Sequence, residues 1–255
     1  MAARAPTPTQ EDAFAREHGL TLDEICERLY QRHRERMEVK KPRTAVVNLA
    51  RVLPATLRLS EQQGFHEMSM RDLSRASGVS LGALYSYIRD KDTLLELMLD
   101  VVSDAVERVL VTVPEEVRAD PRAHLRWIIH RHIQLTEALP AWFRFAYLEA
   151  KGFGPSARKR ARQEELATER LIHEALESGV RQGVFRRMDI DMTAALIKPL
   201  LQEWYLKRWK YRQRDVSPEA YTDAVMNLLE GSLLADERPD SATRAKKARA
   251  RASTK

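Results

Sequence analysis

One cysteine, Cys26, is all the thiol chemistry this 255-residue chain has. A single thiol closes no intrachain disulfide and cannot build a multi-cysteine zinc site. Histidine does not replace it. His124, His130 and His132 share one stretch, but no two stand four residues apart and no paired acid completes a set. No metal and no cofactor are therefore expected. Long apolar runs are missing as well, none approaching the ~20 residues a membrane span needs. The opening MAARAPTPTQEDAF has no apolar core of the signal-peptide kind. A cytoplasmic protein without a membrane partner is expected. Strict apolar/polar alternation, the mark of a half-buried strand, is also missing, which leaves an all-α chain. There is neither a glycine-rich phosphate loop nor a pair of carboxylates that helical periodicity brings together. The enzyme class has no positive support, and no catalytic residue is assigned.

What the chain has in quantity is charge. Lys and Arg number 43 against 37 acids, a formal net of +6. Residues 241–255 hold Arg244, Lys246, Lys247, Arg249, Arg251 and Lys255 with no acid. Residues 40–91 hold nine Lys or Arg against Glu61, Glu67, Asp72 and Asp90. The remainder is consequently acidic. A basic module and a basic tail flank an acidic body, which suits a module facing phosphates and a body that does not. At 44% hydrophobic residues, the body can bury a core.

Along the chain, residues 1–20 read as a disordered N-terminus rich in Ala, Pro and Thr at its start. Residues 21–43 read as a helical extension, opened by the capping-box pattern Thr21-Leu22-Asp23-Glu24 and closed by Lys40-Lys41-Pro42. Residues 44–91 form the basic module. Pro54 interrupts its first helix, where a kink or restart is expected. Residues 92–235 form the larger helical body, and 236–255 a basic disordered tail. Within the body, Asp120-Pro121 opens a helix, and Pro140 starts a short aromatic one. A long charged helix runs over about 156–182, and Asp191 opens another to about Gln213, bent at Pro199. Ser217-Pro218-Glu219 starts the last.

The richest segment is Phe65–Leu95, FHEMSMRDLSRASGVSLGALYSYIRDKDTLL. Ser69 is a natural N-cap. Met70, Leu73 and Ala76 then share a face, and Gly78 stands where a helix end tolerates positive φ. Ser80 caps a second helix with Leu84 and Ile88 facing inward. This is a helix-turn-helix over about 69–88. Gly64-Phe65, Ser69, Leu73, Gly78-Val79-Ser80, Gly82, Leu84-Tyr85, Tyr87, Lys91 and Leu94-Leu95 together resemble the DNA-binding domain of the TetR/AcrR family of bacterial transcriptional regulators. Ser60 departs from that pattern, standing where the family has a large aromatic; the extension is expected to fill the gap.

The resemblance implies a dimeric regulator, a repressor rather than an activator, released from a pseudo-palindromic double-stranded DNA operator by a small effector. It puts Leu81, Gly82, Ala83, Ser86 and Tyr87 on the groove-facing surface, with Ser80 also among the DNA-binding residues. Tyr85, Lys91 and Ser69 fall at phosphate-contacting positions, and Arg71 at one that reaches a guanine edge. The groove-facing set lacks Arg, Asn and Gln, so few bidentate base contacts are available. Arg71 is expected to carry the hydrogen-bonded readout, with thymine methyl contacts and DNA shape doing the rest. Lys40, Lys41 and Arg43 form a candidate basic arm.

Homodimerisation is expected through Leu196, Leu200, Tyr221, Val225, Leu228 and Leu229 on the last helices. An effector pocket is expected at Trp127, His130, Phe145, His173 and Trp204. Its ligand would be largely apolar, with a long-chain acyl compound as the leaning. Two rival functions are an architectural DNA-binding protein of low specificity and a helical adaptor. The first predicts a salt slope dominated by phosphate contacts, the second no discrete operator.

Overall fold

The computed structural model describes residues 10–38 and 41–234. Within them the chain folds into thirteen α-helices, and the sole β-pairing is an isolated bridge between Phe185 and Leu234. The first two are α1 (Gln10–Glu17) and α2 (Leu22–His33). The basic module follows as α3 (Pro42–Gln63), α4 (Met70–Ser77) and α5 (Leu81–Tyr87). A linking helix, α6 (Lys91–Val106), relaxes into a π-turn over Glu107–Val111. The body is made of α7 (Glu115–Ala119), α8 (Pro121–Ala138), α9 (Pro140–Leu148), α10 (Pro155–Arg181), α11 (Ile190–Leu206), α12 (Arg208–Gln213) and α13 (Pro218–Leu233).

Six of these helices begin at a side chain that accepts an orphan amide of the first turn. Asp90, Asp120, Asp189 and Ser217 do so for α6, α8, α11 and α13. Prolines at the first position of α3, α8, α9, α10 and α13 cost nothing, because no intrahelical bond is lost there.

Two hydrophobic cores result. One joins α2–α6 and α9 through Leu49, Leu53, Leu73, Leu84, Leu94 and Met98. The other joins α8, α10, α11 and α13 through Ile128, Ile129, Leu176, Leu201 and Trp204.

Several expectations are corrected. Residues 10–20 are structured, not disordered: Phe14 and Leu20 are buried, and the Arg131 guanidinium on α8 lies 5.7 Å from the Phe14 ring centroid. Two apolar anchors and a cation–π contact hold a helix too short to stand alone. Residues 1–9 and the tail 236–255 lie outside the described residues.

Pro54 does not break α3, which runs through it. Leu53, Ala55 and Thr56 beside it are buried, so packing outweighs the missing amide bond. Pro199 likewise sits inside α11. The break comes at Lys207, so the expected single helix to Gln213 is two. Ser60 is not covered by the extension; its hydroxyl donates to Glu149 Oε1 at 2.8 Å, after α9.

Candidate nucleic-acid interface and effector cavity

The reading head is set by three local devices. Ser69 Oγ accepts the Asp72 amide at 3.1 Å, and its hydroxyl donates to Asp72 Oδ2 at 2.6 Å, closing a capping box on α4. The Ser69 hydroxyl and amide together hold the Asp72 carboxyl down at about 2. Gly78, at φ 68°, ends α4 in the left-handed region that glycine adopts without strain. Ser80 Oγ then accepts the Ala83 amide at 3.3 Å and starts α5.

Leu73, Leu84 and Ile88 are fully buried and lock α4 and α5 against α3. The outer face presents Arg71, Ser80, Gly82 and Tyr85, with Leu81, Ala83 and Ser86 half-buried. Tyr85 is 47% exposed. Arg71 is exposed and meets no acid among the described residues. Arg75, by contrast, is paired with Asp72.

Tyr87 is the clear correction. It is 5% exposed, and its hydroxyl accepts from Asn48 Nδ2 at 2.8 Å, so it is a core residue rather than a groove reader. On the seven-residue α5, Tyr87 follows Leu84 onto the inner face, and Tyr85 points away. Lys91 is half-buried, donates to the His66 carbonyl at 2.6 Å and lies 5.2 Å from the Phe65 ring centroid. Burial lowers its pKa. Ser86 turns its hydroxyl back to the Ala83 carbonyl at 2.6 Å.

The Asn48–Tyr87 bond also brings the first turns of α3 beside α5, where Lys41, Arg43 and Thr44 are exposed. Lys40 lies outside the described residues.

Gly78-Val79-Ser80-Leu81-Gly82 also spells G-x-S-x-G, the pattern of a hydrolase nucleophile elbow, which the enzyme expectation passes over. That motif works on a strand-to-helix turn with a base at the serine. Here it joins two helices, and the described partner of Ser80 Oγ is the Ala83 amide.

A cavity of about 760 Å³ opens in the body between α6, α8, α9, α10 and α11. Leu99, Val102, Val106, Phe143 and Ala146 make an apolar wall, and Arg158, Arg160, Arg162 and Lys198 supply charge. Its volume lies within the range of small-molecule sites, about 300–1,000 Å³. Burial pushes the His132 pKa well below its usual value, and its Nδ1 has no partner among the described residues. Lys198 is 5% exposed and 3.5 Å from Glu165 Oε2; burial lowers its pKa despite that acid.

None of the five expected pocket residues lines this cavity. Trp204 is fully buried, with the Arg208 guanidinium 4.2 Å from its ring centroid and Tyr221 at 4.8 Å. Phe145 meets Phe65 at 5.4 Å on the seam between module and body. Trp127 packs on Arg131, His130 faces Thr222 Oγ1 at 3.4 Å, and His173 faces Asp191 at 3.2 Å. Trp204 and Phe145 fill cores instead, and the aromatic residues at the cavity are Phe143, Tyr147 and Tyr205. Ala161 of α10 is among the lining residues.

Residues 52–98 match the model described as bacterial regulatory proteins, tetR family, and residues 118–232 the tetracyclin repressor-like C-terminal domain. This chain belongs to the TetR family of DNA-binding transcriptional regulators. Among curated relatives, this TetR-family regulator is 23% identical over 199 residues to the HTH-type transcriptional regulator HbdR of Aromatoleum sp. strain CIB. That match covers 77% of this chain and 86% of HbdR. Among solved structures, PfmR of Thermus thermophilus, a TetR family regulator, is 25% identical with a TM-score of 0.59, over 71% of this chain and 98% of that one. AibR, solved in complex with isovaleryl coenzyme A and operator DNA, is 21% identical with a TM-score of 0.57, over 69% and 95%.

In this TetR-family chain the expected self-association face divides in two. Leu196 and Leu228 are each 64% exposed, and Leu200 is half-buried. Tyr221, Val225 and Leu229 are buried within the protomer, and the Tyr221 hydroxyl donates to the Leu200 carbonyl at 2.7 Å. Met192 and Pro199 extend the exposed stripe of α11 around Leu196. No described helix is long and apolar enough to cross a membrane.

Proposed function

We propose that the protein is a dimeric repressor that reads a pseudo-palindromic operator through α4 and α5. An effector with an apolar body, bound in the cavity, releases it. The observation that carries this reading is the pairing of two features along one helix. α6 begins at the reading head and ends against the cavity, where Leu99, Val102 and Val106 are lining residues.

Arg71 reads base edges, Leu81 and Ala83 supply methyl contacts, and Tyr85 with Thr44 and Arg43 holds phosphates. A second copy meets the first through Leu196 and Leu228, bringing two heads to two half-sites. The effector acts by preferring the arrangement that does not match the operator; binding alone shifts nothing. The fold of AibR, seen with an acyl thioester and operator DNA, supports both halves of the reading.

Genomic fragments retained by the purified protein at near-physiological salt, once sequenced, test it. The proposal expects a short pseudo-palindromic consensus that Tyr85→Ala weakens. Diffuse retention without a consensus would favour an architectural DNA-binding protein, and no retention a helical adaptor.

A further inference from the structure

We propose that the cavity takes an acyl amphiphile bearing an acid, and that Arg160 reads the acid by exchanging Asp100 for it. This deepens the effector reading above and rests on it. The cavity is two-natured: its wall on α6 and α9 is apolar, while α10 and α11 bring four cations against Glu164 and Glu165. Lys198 is already committed to Glu165. The unpartnered Nδ1 of buried His132 marks an unmet polar need at the same cavity.

Arg160 is the cation whose commitments matter most. Its guanidinium is paired with Asp100, donates to Ser103 Oγ at 3.1 Å and lies 3.8 Å from Glu164. Asp100 is buried; its other oxygen is 2.5 Å from His33 Nε2 on α2, and Arg32 lies 4.0 Å from the oxygen that Arg160 holds. One carboxylate thus ties three helices together: α2, α6 and α10.

An arginine fork grips a carboxylate or phosphate through parallel bonds, and it cannot hold Asp100 and a ligand acid with full geometry at once. If the ligand takes the fork, Asp100 keeps His33 and Arg32. No buried charge is orphaned, and α10 loses its ion pair to α6, keeping the bond that the Ser103 hydroxyl donates to Glu164.

α6 does not move alone. Arg28 Nε donates to Asp104 at 2.8 Å, so α2 travels with it. Beyond α2, the Glu38 amide donates to the Ser86 carbonyl of α5 at 3.0 Å, and Met37 is buried. Residues 22–38 are therefore a strap from α6 to the reading helix, and the exchange at Arg160 removes the ion pair that ties α6 and this strap to α10.

The full-length protein is titrated calorimetrically with laurate, lauroyl-coenzyme A and dodecanol, which share a tail and differ in the acid. Amide hydrogen exchange is followed over residues 91–111. The expected result is that laurate or lauroyl-coenzyme A binds and raises exchange in that segment, whereas dodecanol does not. Whichever of the two binds identifies the acid as carboxylate or phosphate.

Arg160→Gln should weaken the acid ligand about tenfold or more. Without ligand it should raise exchange over 91–111 as the ligand does in the wild type. Arg170→Gln, away from the cavity, should change neither. Should Arg160→Gln not fold, the wild-type comparison of laurate with dodecanol decides alone. Equal binding of acid and alcohol, binding of neither acid, or unchanged exchange on binding would overturn the proposal. A consensus operator in the fragment selection would survive any of these outcomes, so the two readings fail separately.

Discussion

At the scale of single residues, neighbours in sequence have opposite fates. Tyr85 and Tyr87 look alike on paper, yet one faces outward and the other bonds Asn48 in the core. Tyr87→Phe should cost about 0.5–1.5 kcal/mol in urea unfolding through the lost hydrogen bond, with operator affinity unchanged. Tyr85→Ala should do the reverse. Equal effects on DNA would restore Tyr87 to the surface.

Glu137 offers a sharper stability test. It is buried, and Arg208 Nε donates to it at 2.6 Å. Glu137→Ala leaves that guanidinium without its acid and should cost about 3–5 kcal/mol. His132 supplies the pH dependence. Burial depresses its pKa, so below its unfolded value of about 6.5 the unfolded chain gains a proton that the native state refuses. Stability should fall as pH drops from about 7.5 to about 5.5, and His132→Leu should flatten that slope. An unchanged slope in urea titrations at the two pH values would refute it.

At the scale of elements, the helices announced by caps and prolines were legible, because Ser69, Ser80, Asp90, Asp120 and Ser217 act locally. What sequence could not give was tertiary override. α1 forms because α8 supplies Arg131 and a place for Phe14, neither visible in the N-terminal composition. Pro54 reads as a breaker only until its buried neighbours are known. The pocket was misplaced for the same reason: aromatic content signals buried volume and cannot say which volume stays empty. Arg160, a cavity residue in a charged run on α10, reads as a solvated surface.

Gly179 shows how tightly the end of α10 is closed. A Cβ there would collide with the Phe185 ring. The Val184 and Phe185 amides both donate to the Gly179 carbonyl, at 2.9 and 3.0 Å. Gly179→Ala should therefore destabilise by about 1–3 kcal/mol, the cost of overpacking, in thermal or urea unfolding.

At the scale of the whole molecule, a protomer that reads one half-site needs a partner for specificity. Leu196 and Leu228 are exposed, so Leu196→Glu with Leu228→Glu should leave the fold intact and yield monomers in sedimentation. Retained dimers would move the interface elsewhere. Within the protomer, α2 is joined to α6 through Arg28–Asp104 and His33–Asp100, and the Glu38 amide after α2 donates to the Ser86 carbonyl of α5.

The central claim is that α4 and α5 read sequence, with Arg71 as the hydrogen-bonding reader. The most direct test measures, by competition anisotropy at fixed salt, how much tighter a selected operator fragment binds than a scrambled one, for wild type and Arg71→Ala. The account predicts that this ratio falls about tenfold to a hundredfold in the variant, while affinity for the scrambled fragment changes far less. An unchanged ratio would contradict it.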